Sequence, residues 1–263
     1  MNESMILSTG LAVLSYDEDN IKNHIDYLFR DSKIANKVPD YKFEAEKGPR
    51  SYYFYGIVTD KNTSTAYPFV RGTDGDDPIG NARSWLTNLR ITTGDNDIQN
   101  GFEEEGNRWF DKYKTILYRV SNIWTSGQSQ GAAVQQYIAK LCYENLSEDK
   151  SIFSIGISVP PWCRENTRII INNFSRERFN AIAYYHESDP VCGSAIYLQA
   201  SACHIGQWIK LNCPDRYGIG GINPVTHSCK MYIASLIIYG IKNRMFDQHG
   251  IDTLIGIYER CVN

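Results

Sequence analysis

The stretch Asn122-Ile123-Trp124-Thr125-Ser126-Gly127-Gln128-Ser129-Gln130-Gly131-Ala132-Ala133-Val134 places a serine between two glycines at the meeting of two kinds of periodicity. Asn122 to Thr125 reads as the end of an apolar strand. After Gly131, the residues Ala132, Ala133, Val134, Tyr137, Ile138 and Leu141 recur at helical spacing. Strand, tight turn and helix around G-x-S-x-G is the context of a nucleophile elbow. A serine hydroxyl is a weak nucleophile at neutral pH, so it must be presented on a sharp turn, beside a base and near donors for a developing oxyanion. The bland reading of the same five residues is a glycine-rich turn, and the flanking elements favour the elbow.

Working outward, the pattern alternates strands and helices. Asp17-Glu18-Asp19-Asn20 can cap a helix running to about Arg30, with Ile21, Ile25, Leu28 and Phe29 on one face. The stretch 31–50 is polar and reads as loop or short helix. Tyr52 to Val58 and Ala66 to Val70 read as two strands of a hairpin turning at Asp60 to Ser64. An acidic loop, Asp74-Gly75-Asp76-Asp77-Pro78-Ile79-Gly80, follows Thr73. Phe102, Trp109, Phe110, Tyr113 and Ile116 predict a helix over about 102–118, and Ser151 to Val159 and Arg178 to Tyr185 predict further strands. The order predicts an α/β fold with a central, mostly parallel sheet flanked by helices, carried by one domain over residues 1–263.

Composition narrows the function classes. A net charge of −3 and a pI near 6.0 provide no general attraction to nucleic acid or an anionic membrane. The longest apolar run, Tyr232 to Tyr239, is interrupted at Ser235 and followed by Gly240, too short for a membrane span. The N-terminal apolar residues lack the basic start of a secretory signal, and the seven cysteines are scattered, so the expected location is the cytoplasm, with non-standard export left open. Cys203, His204, Cys213, His227 and Cys229 cluster in sequence without a familiar zinc-ligand spacing. No metal and no cofactor is called for.

An activated serine needs a base and an acid. Asp189, in Tyr185-His186-Glu187-Ser188-Asp189-Pro190, lies where a strand ends, the place where functional residues gather in α/β sheets; an Asp-Pro turn is its bland reading and Glu187 its rival. His227 follows in the loop Gly221-Ile222-Asn223-Pro224-Val225-Thr226-His227. His24 and His249 sit in polar surroundings and read as surface residues, His186 lies beside the acid, and His204 competes with His227 for the base. The order serine, acid, histidine is that of α/β-hydrolase triads.

These residues carry a resemblance. Phe69-Val70-Arg71-Gly72-Thr73, Ser84-Trp85-Leu86-Thr87-Asn88-Leu89, Gly101-Phe102, the Ser129 elbow, Phe179 to Val191, His204-Ile205-Gly206 and His227 follow in the order of the class 3 lipase family, the α/β-hydrolases that include fungal triacylglycerol lipases. The chain resembles a divergent member over roughly residues 50 to 235. The resemblance implies an α/β-hydrolase fold and a catalytic Ser129, Asp189 and His227. It also implies an oxyanion hole from Thr73 and the backbone N–H of Gln130. His204 falls on the family's His-x-Gly motif, which is not the base. Trp85 and Leu86 fall on the segment that forms a lid in the fungal enzymes; a buried helix anchor is the plain alternative. Gln128 and Gln130 depart from the family's Gly-His-Ser-Leu-Gly, and Ser154 to Ser158 matches its Thr-Phe-Gly-Ala-Pro only in part.

The implied function is a serine carboxylic-ester hydrolase, a lipase or phospholipase, acting on a lipid or small ester with transient contact to a lipid interface. A lipase-like binding or scaffold protein without turnover is the alternative from another class. A thioesterase or amidase would use the same triad.

Overall fold

Side-chain alternation along the strands sorts the apolar residues into two cores. In β2 (Phe54–Asp60) Tyr55 and Ile57 join one core while Phe54 and Val58 join the other. In β3 (Thr65–Arg71) Ala66 and Val70 oppose Tyr67 and Phe69, and in β4 (Asn122–Gln128) Ile123 opposes Trp124. Successive strand residues face opposite sides of a sheet, so both faces of this sheet are covered. That is why its central strands read as continuous apolar runs rather than as alternating ones.

The computed structural model describes residues 2–34, 41–47, 53–72, 98, 100–189, 191–192, 202–203, 205–212 and 228–261. Among them, a seven-stranded sheet has the order β1-β2-β3-β4-β5-β7-β9, where β1 is Tyr41–Lys47, β5 Ser151–Ile157, β7 Phe179–Tyr185 and β9 Gln207–Lys210. β1, β2 and β3 are antiparallel, and β3 through β9 pair in parallel. A short pair, β6 (Cys163–Arg164) with β8 (Ala202–Cys203), stands apart. Parallel neighbours require crossovers. These are the helices α3 (Asn100–Leu117), α4 (Gln130–Asn145) and α5 (Glu165–Asn172), which contribute Trp109, Ile138 and Ile171 to one core. The other core is closed by α1 (Asn2–Leu14), α6 (Cys229–Lys242) and α7 (Gln248–Arg260). The expected hairpin, crossover helices and mostly parallel sheet are all present.

One expectation fails, and one element went unread. The stretch 31–50, read as loop or short helix, contains strand β1 on the sheet edge. Its Tyr41, Phe43 and Ala45 are half-buried and alternate with Lys42, Glu44 and Glu46, a strand period obscured by the charged residues that crowd the stretch. The N-terminal apolar residues, to which no element was assigned, form α1, which lies against β3, β4 and α7 with Leu11, Ala12, Val13 and Leu14 at most 1% exposed. A helix buried on all sides has no polar face and so no helical period. No helix among the described residues is long and apolar enough to cross a membrane. The short helix α2 (Ile21–Asp26) continues through a wide turn, Tyr27–Asp31, matching the expected reach to about Arg30.

Because α1 is a core element, Leu11→Ala should lower the unfolding free energy by about 2–4 kcal/mol. Ile238→Ala, on the exposed side of α6, should change it by less than about 0.5 kcal/mol. Urea denaturation of the two variants checks the contrast.

Candidate active site

Ser129 is the single residue between β4 and α4, with φ 56° and ψ −132°. A side chain at positive φ costs about 1–3 kcal/mol and persists only where neighbours over-determine the turn. Here they do. Ser129 N–H donates to Ile157 O at 2.9 Å, and Ser129 O accepts from Ala132 N–H at 2.9 Å. The two glycines of the motif supply the room: a Cβ on Gly131 would stand 2.3 Å from Val70 O, and one on Gly127 would stand 2.6 Å from Gly131 O. The first turn of α4 therefore presses directly on the end of β3. Ser129 is fully buried, and its Oγ has no hydrogen-bond partner among the described residues.

Asp189 is buried beyond the end of β7 and collects three donors. Ser158 Oγ and Tyr232 Oη each donate to Oδ2 at 2.7 Å, and Val191 N–H donates to Oδ1 at 2.8 Å. Burial and the neighbouring carboxylate push the Tyr232 hydroxyl far above its ordinary pKa, so it stays a neutral donor. The strand end of β5 separates the two residues: Ile157 accepts from Ser129, and the next residue, Ser158, donates to Asp189. β4 and β7 lie two strand spacings apart, roughly 10 Å, on either side of β5. Ser158 and Tyr232 were not singled out in the sequence as partners of the acid. Ser158 stands in the half-matching Ser154 to Ser158 segment, and Tyr232 sits in an apolar run where nothing marks its hydroxyl.

The described histidines do not serve Ser129. His24, read as a surface residue, is instead buried, with Nε2 3.0 Å from Asp17 Oδ2. Burial pushes the Asp17 carboxyl up, but hydrogen bonds from His24 and Asn20 outweigh it and hold the carboxyl below its usual range. His249 is exposed, as read. His186 Nδ1 lies 3.0 Å from Leu211 O, so the proton sits on Nδ1, and Nε2 is a buried lone pair without a partner among the described residues. His204, His227, Thr73, Trp85 and Leu86 lie outside the described residues, as do the acidic loop and Cys213. The helix that follows His227 is nonetheless tied to Gln128 and to Asp189. At its first turn Cys229 Sγ donates to Gln128 Oε1, one residue before Ser129, and one turn later Tyr232 meets Asp189. The flanks of His204 go elsewhere: Cys203 pairs with Cys163, and Gly206 packs on Ala181, in the body of β7. Gln130 opens α4, the position from which a helix directs its N–H groups at an anion, and its Oε1 accepts from Tyr53 Oη. Among the described residues no group of three His, Cys, Asp or Glu is arranged for a metal ion.

Two outcomes follow. Ser129→Gly removes the strained φ, so it should raise the unfolding free energy by about 1 kcal/mol in urea titrations. Burial holds the His186 pKa below its ordinary value, against the opposing pull of Leu211 O and Asp189. Between that depressed value and the ordinary one the unfolded chain binds a proton that the native state does not. Stability is thus complete above about pH 6.5 and falls as the pH drops below it. The slope between pH 7 and pH 5 should be shallower in His186→Asn than in the parent.

No family model and no curated protein matches the sequence. Solved structures do match the fold. The lipase from Rhizopus microsporus var. chinensis is 18% identical, with a TM-score of 0.58 over 78% of this chain and 72% of that one. Lipase II from Rhizopus niveus is 16% identical, with a TM-score of 0.57 over 77% and 78%. The triacylglyceride lipase of Rhizomucor miehei is 16% identical, with a TM-score of 0.57 over 80% and 79%. The chain has the α/β-hydrolase fold that these fungal lipases share.

Proposed function

We propose that the protein is a serine carboxylic-ester hydrolase of the lipase or phospholipase type. The observation that carries this reading is the strained turn at Ser129, held by close backbone packing at the C-terminal end of a parallel sheet. Strain of this kind gathers at functional positions, and the strand–turn–helix setting at Ser129 is the one in which a nucleophile is presented. In this reading Ser129 Oγ attacks the acyl carbonyl carbon while His227 takes its proton. Thr73 and the Gln130 N–H stabilise the oxyanion, each donor worth about 3 kcal/mol of barrier. Collapse expels the alcohol, to which His227 returns the proton, and water then releases the acid from the acyl-enzyme by the same steps. Asp189 holds the imidazole and stabilises its charged form. The ties from Cys229 to Gln128 and from Tyr232 to Asp189 support His227 over His204 as the base. In this reading the segment carrying Trp85 and Leu86 serves as a lid, which would meet a lipid interface when open.

Labelling with a fluorophosphonate, with and without detergent, tests the reading. Modification should be confined to Ser129 and absent in Ser129→Ala. Asp189→Asn and His227→Ala should lose nearly all ester hydrolysis at equal folded fraction, while His204→Ala should lose much less. No labelling under either condition would favour a lipase-like binding or scaffold protein; death of His204→Ala with an active His227→Ala would move the base.

A further inference from the structure

The turn between α1 and α2 delivers a tyrosine to the nucleophile. A Cβ placed on Gly72 would stand 2.9 Å from Tyr16 Oη, 2.9 Å from Gln128 O and 3.2 Å from Ser129 Cβ. The Tyr16 hydroxyl and the nucleophile thus lie against the same glycine, whose next residue is Thr73. The fold holds Tyr16 there from several directions. Ser15 N–H and Asp17 N–H, on either side of it, donate to Leu11 O and Leu14 O at the end of the buried helix α1. Arg71, the last residue of β3 and 1% exposed, sets its guanidinium over the Tyr16 ring at 5.7 Å and the Phe54 ring at 5.8 Å. Glu18 Oε1 pairs with Arg71 Nη1 at 2.5 Å, and its other oxygen pairs with Lys47 Nζ at 2.6 Å. An ion pair this buried contributes little net stability, because desolvation offsets its attraction. Its consequence is geometric: the Glu18 carboxylate joins the turn at 15–20 to the edge strand through Lys47 and to the end of β3 through Arg71.

We infer that Tyr16 is a substrate-contacting residue of the Ser129 site, its hydroxyl donating to the oxygen that becomes anionic when the serine adds to the ester, and that Arg71 and Glu18 position it. The inference rests on the hydrolase reading above. A phenol is a suitable donor here, since it is neutral at physiological pH and carries one O–H on a rigid ring. A donor at this place strengthens as negative charge develops, so it acts on the transition state more than on substrate binding.

The test uses the full chain with p-nitrophenyl butyrate as substrate and butylboronic acid as inhibitor, whose anionic tetrahedral adduct on a serine resembles the reaction's intermediate. Tyr16→Phe keeps the ring on Arg71 and removes only the hydroxyl. It should lower kcat/KM and raise the boronate inhibition constant by the same factor, about three- to tenfold, at unchanged Tm. Glu18→Gln keeps the hydroxyl and loosens its support, and should move both quantities together by a smaller factor. A Tyr16→Phe protein within twofold of the parent in both quantities would overturn the inference, as would a loss of kcat/KM with an unchanged inhibition constant. A parent protein that neither hydrolyses the ester nor reacts at Ser129 would instead overturn the hydrolase reading.

Discussion

The contact on which the site depends is the approach of the first turn of α4 to the end of β3, where a Gly131 Cβ would come within 2.3 Å of Val70 O. Two backbone segments can approach so closely only if neither carries a side chain at the point of contact. Once they do, the chain has one residue in which to turn from strand to helix, and Ser129 takes a positive φ because its neighbours leave no other path. The same crowding brings Gly72 against Ser129 and so sets where the residue after it begins. Strain at one residue and the absence of Cβ atoms at three others are one constraint seen from different positions.

A second set of contacts holds the acid. Asp189 is removed from water, yet it accepts from two hydroxyls and a backbone N–H, which replace solvent around the carboxylate. The donors come from three elements: Ser158 from the end of β5, Tyr232 from α6 and Val191 from the turn after β7. The first turns of α6 therefore touch the elbow through Cys229 and the acid through Tyr232. His186 lies under the same network, its ring 4.4 Å from that of Tyr232 and its backbone N–H donating to the Tyr232 hydroxyl. Its ring belongs to the surroundings of Asp189 and makes no hydrogen bond to Ser129.

Much of this was legible in the chain. The elbow announces itself because glycine spacing and the change from strand to helix are local properties, and Asp189 stands at a strand end that apolar patterning marks. The hairpin and the crossover helix over 102–118 are legible for the same reason. β1 was not read, although Tyr41, Phe43 and Ala45 alternate with Lys42, Glu44 and Glu46, because charged residues crowd the stretch 31–50. Helix α1 was not, because burial on every side erases the helical period. His24 was misread since its burial and its pairing with Asp17 depend on how α2 packs, not on the polar residues next to it in sequence.

The amino-acid sequence by itself determined the α/β order, the parallel sheet and the turn that presents Ser129, since these follow from periodicity and from where glycine stands. Only the tertiary structure decided which distant hydroxyls reach Asp189, that Arg71 is buried against Glu18 and Tyr16, and that Tyr16 shares a glycine with Ser129. The physical reason is range. Backbone preference and apolar period act over a few residues, whereas a hydrogen bond or ion pair between segments far apart in the chain exists only after sheet and helices have packed and excluded the water that would otherwise satisfy each partner.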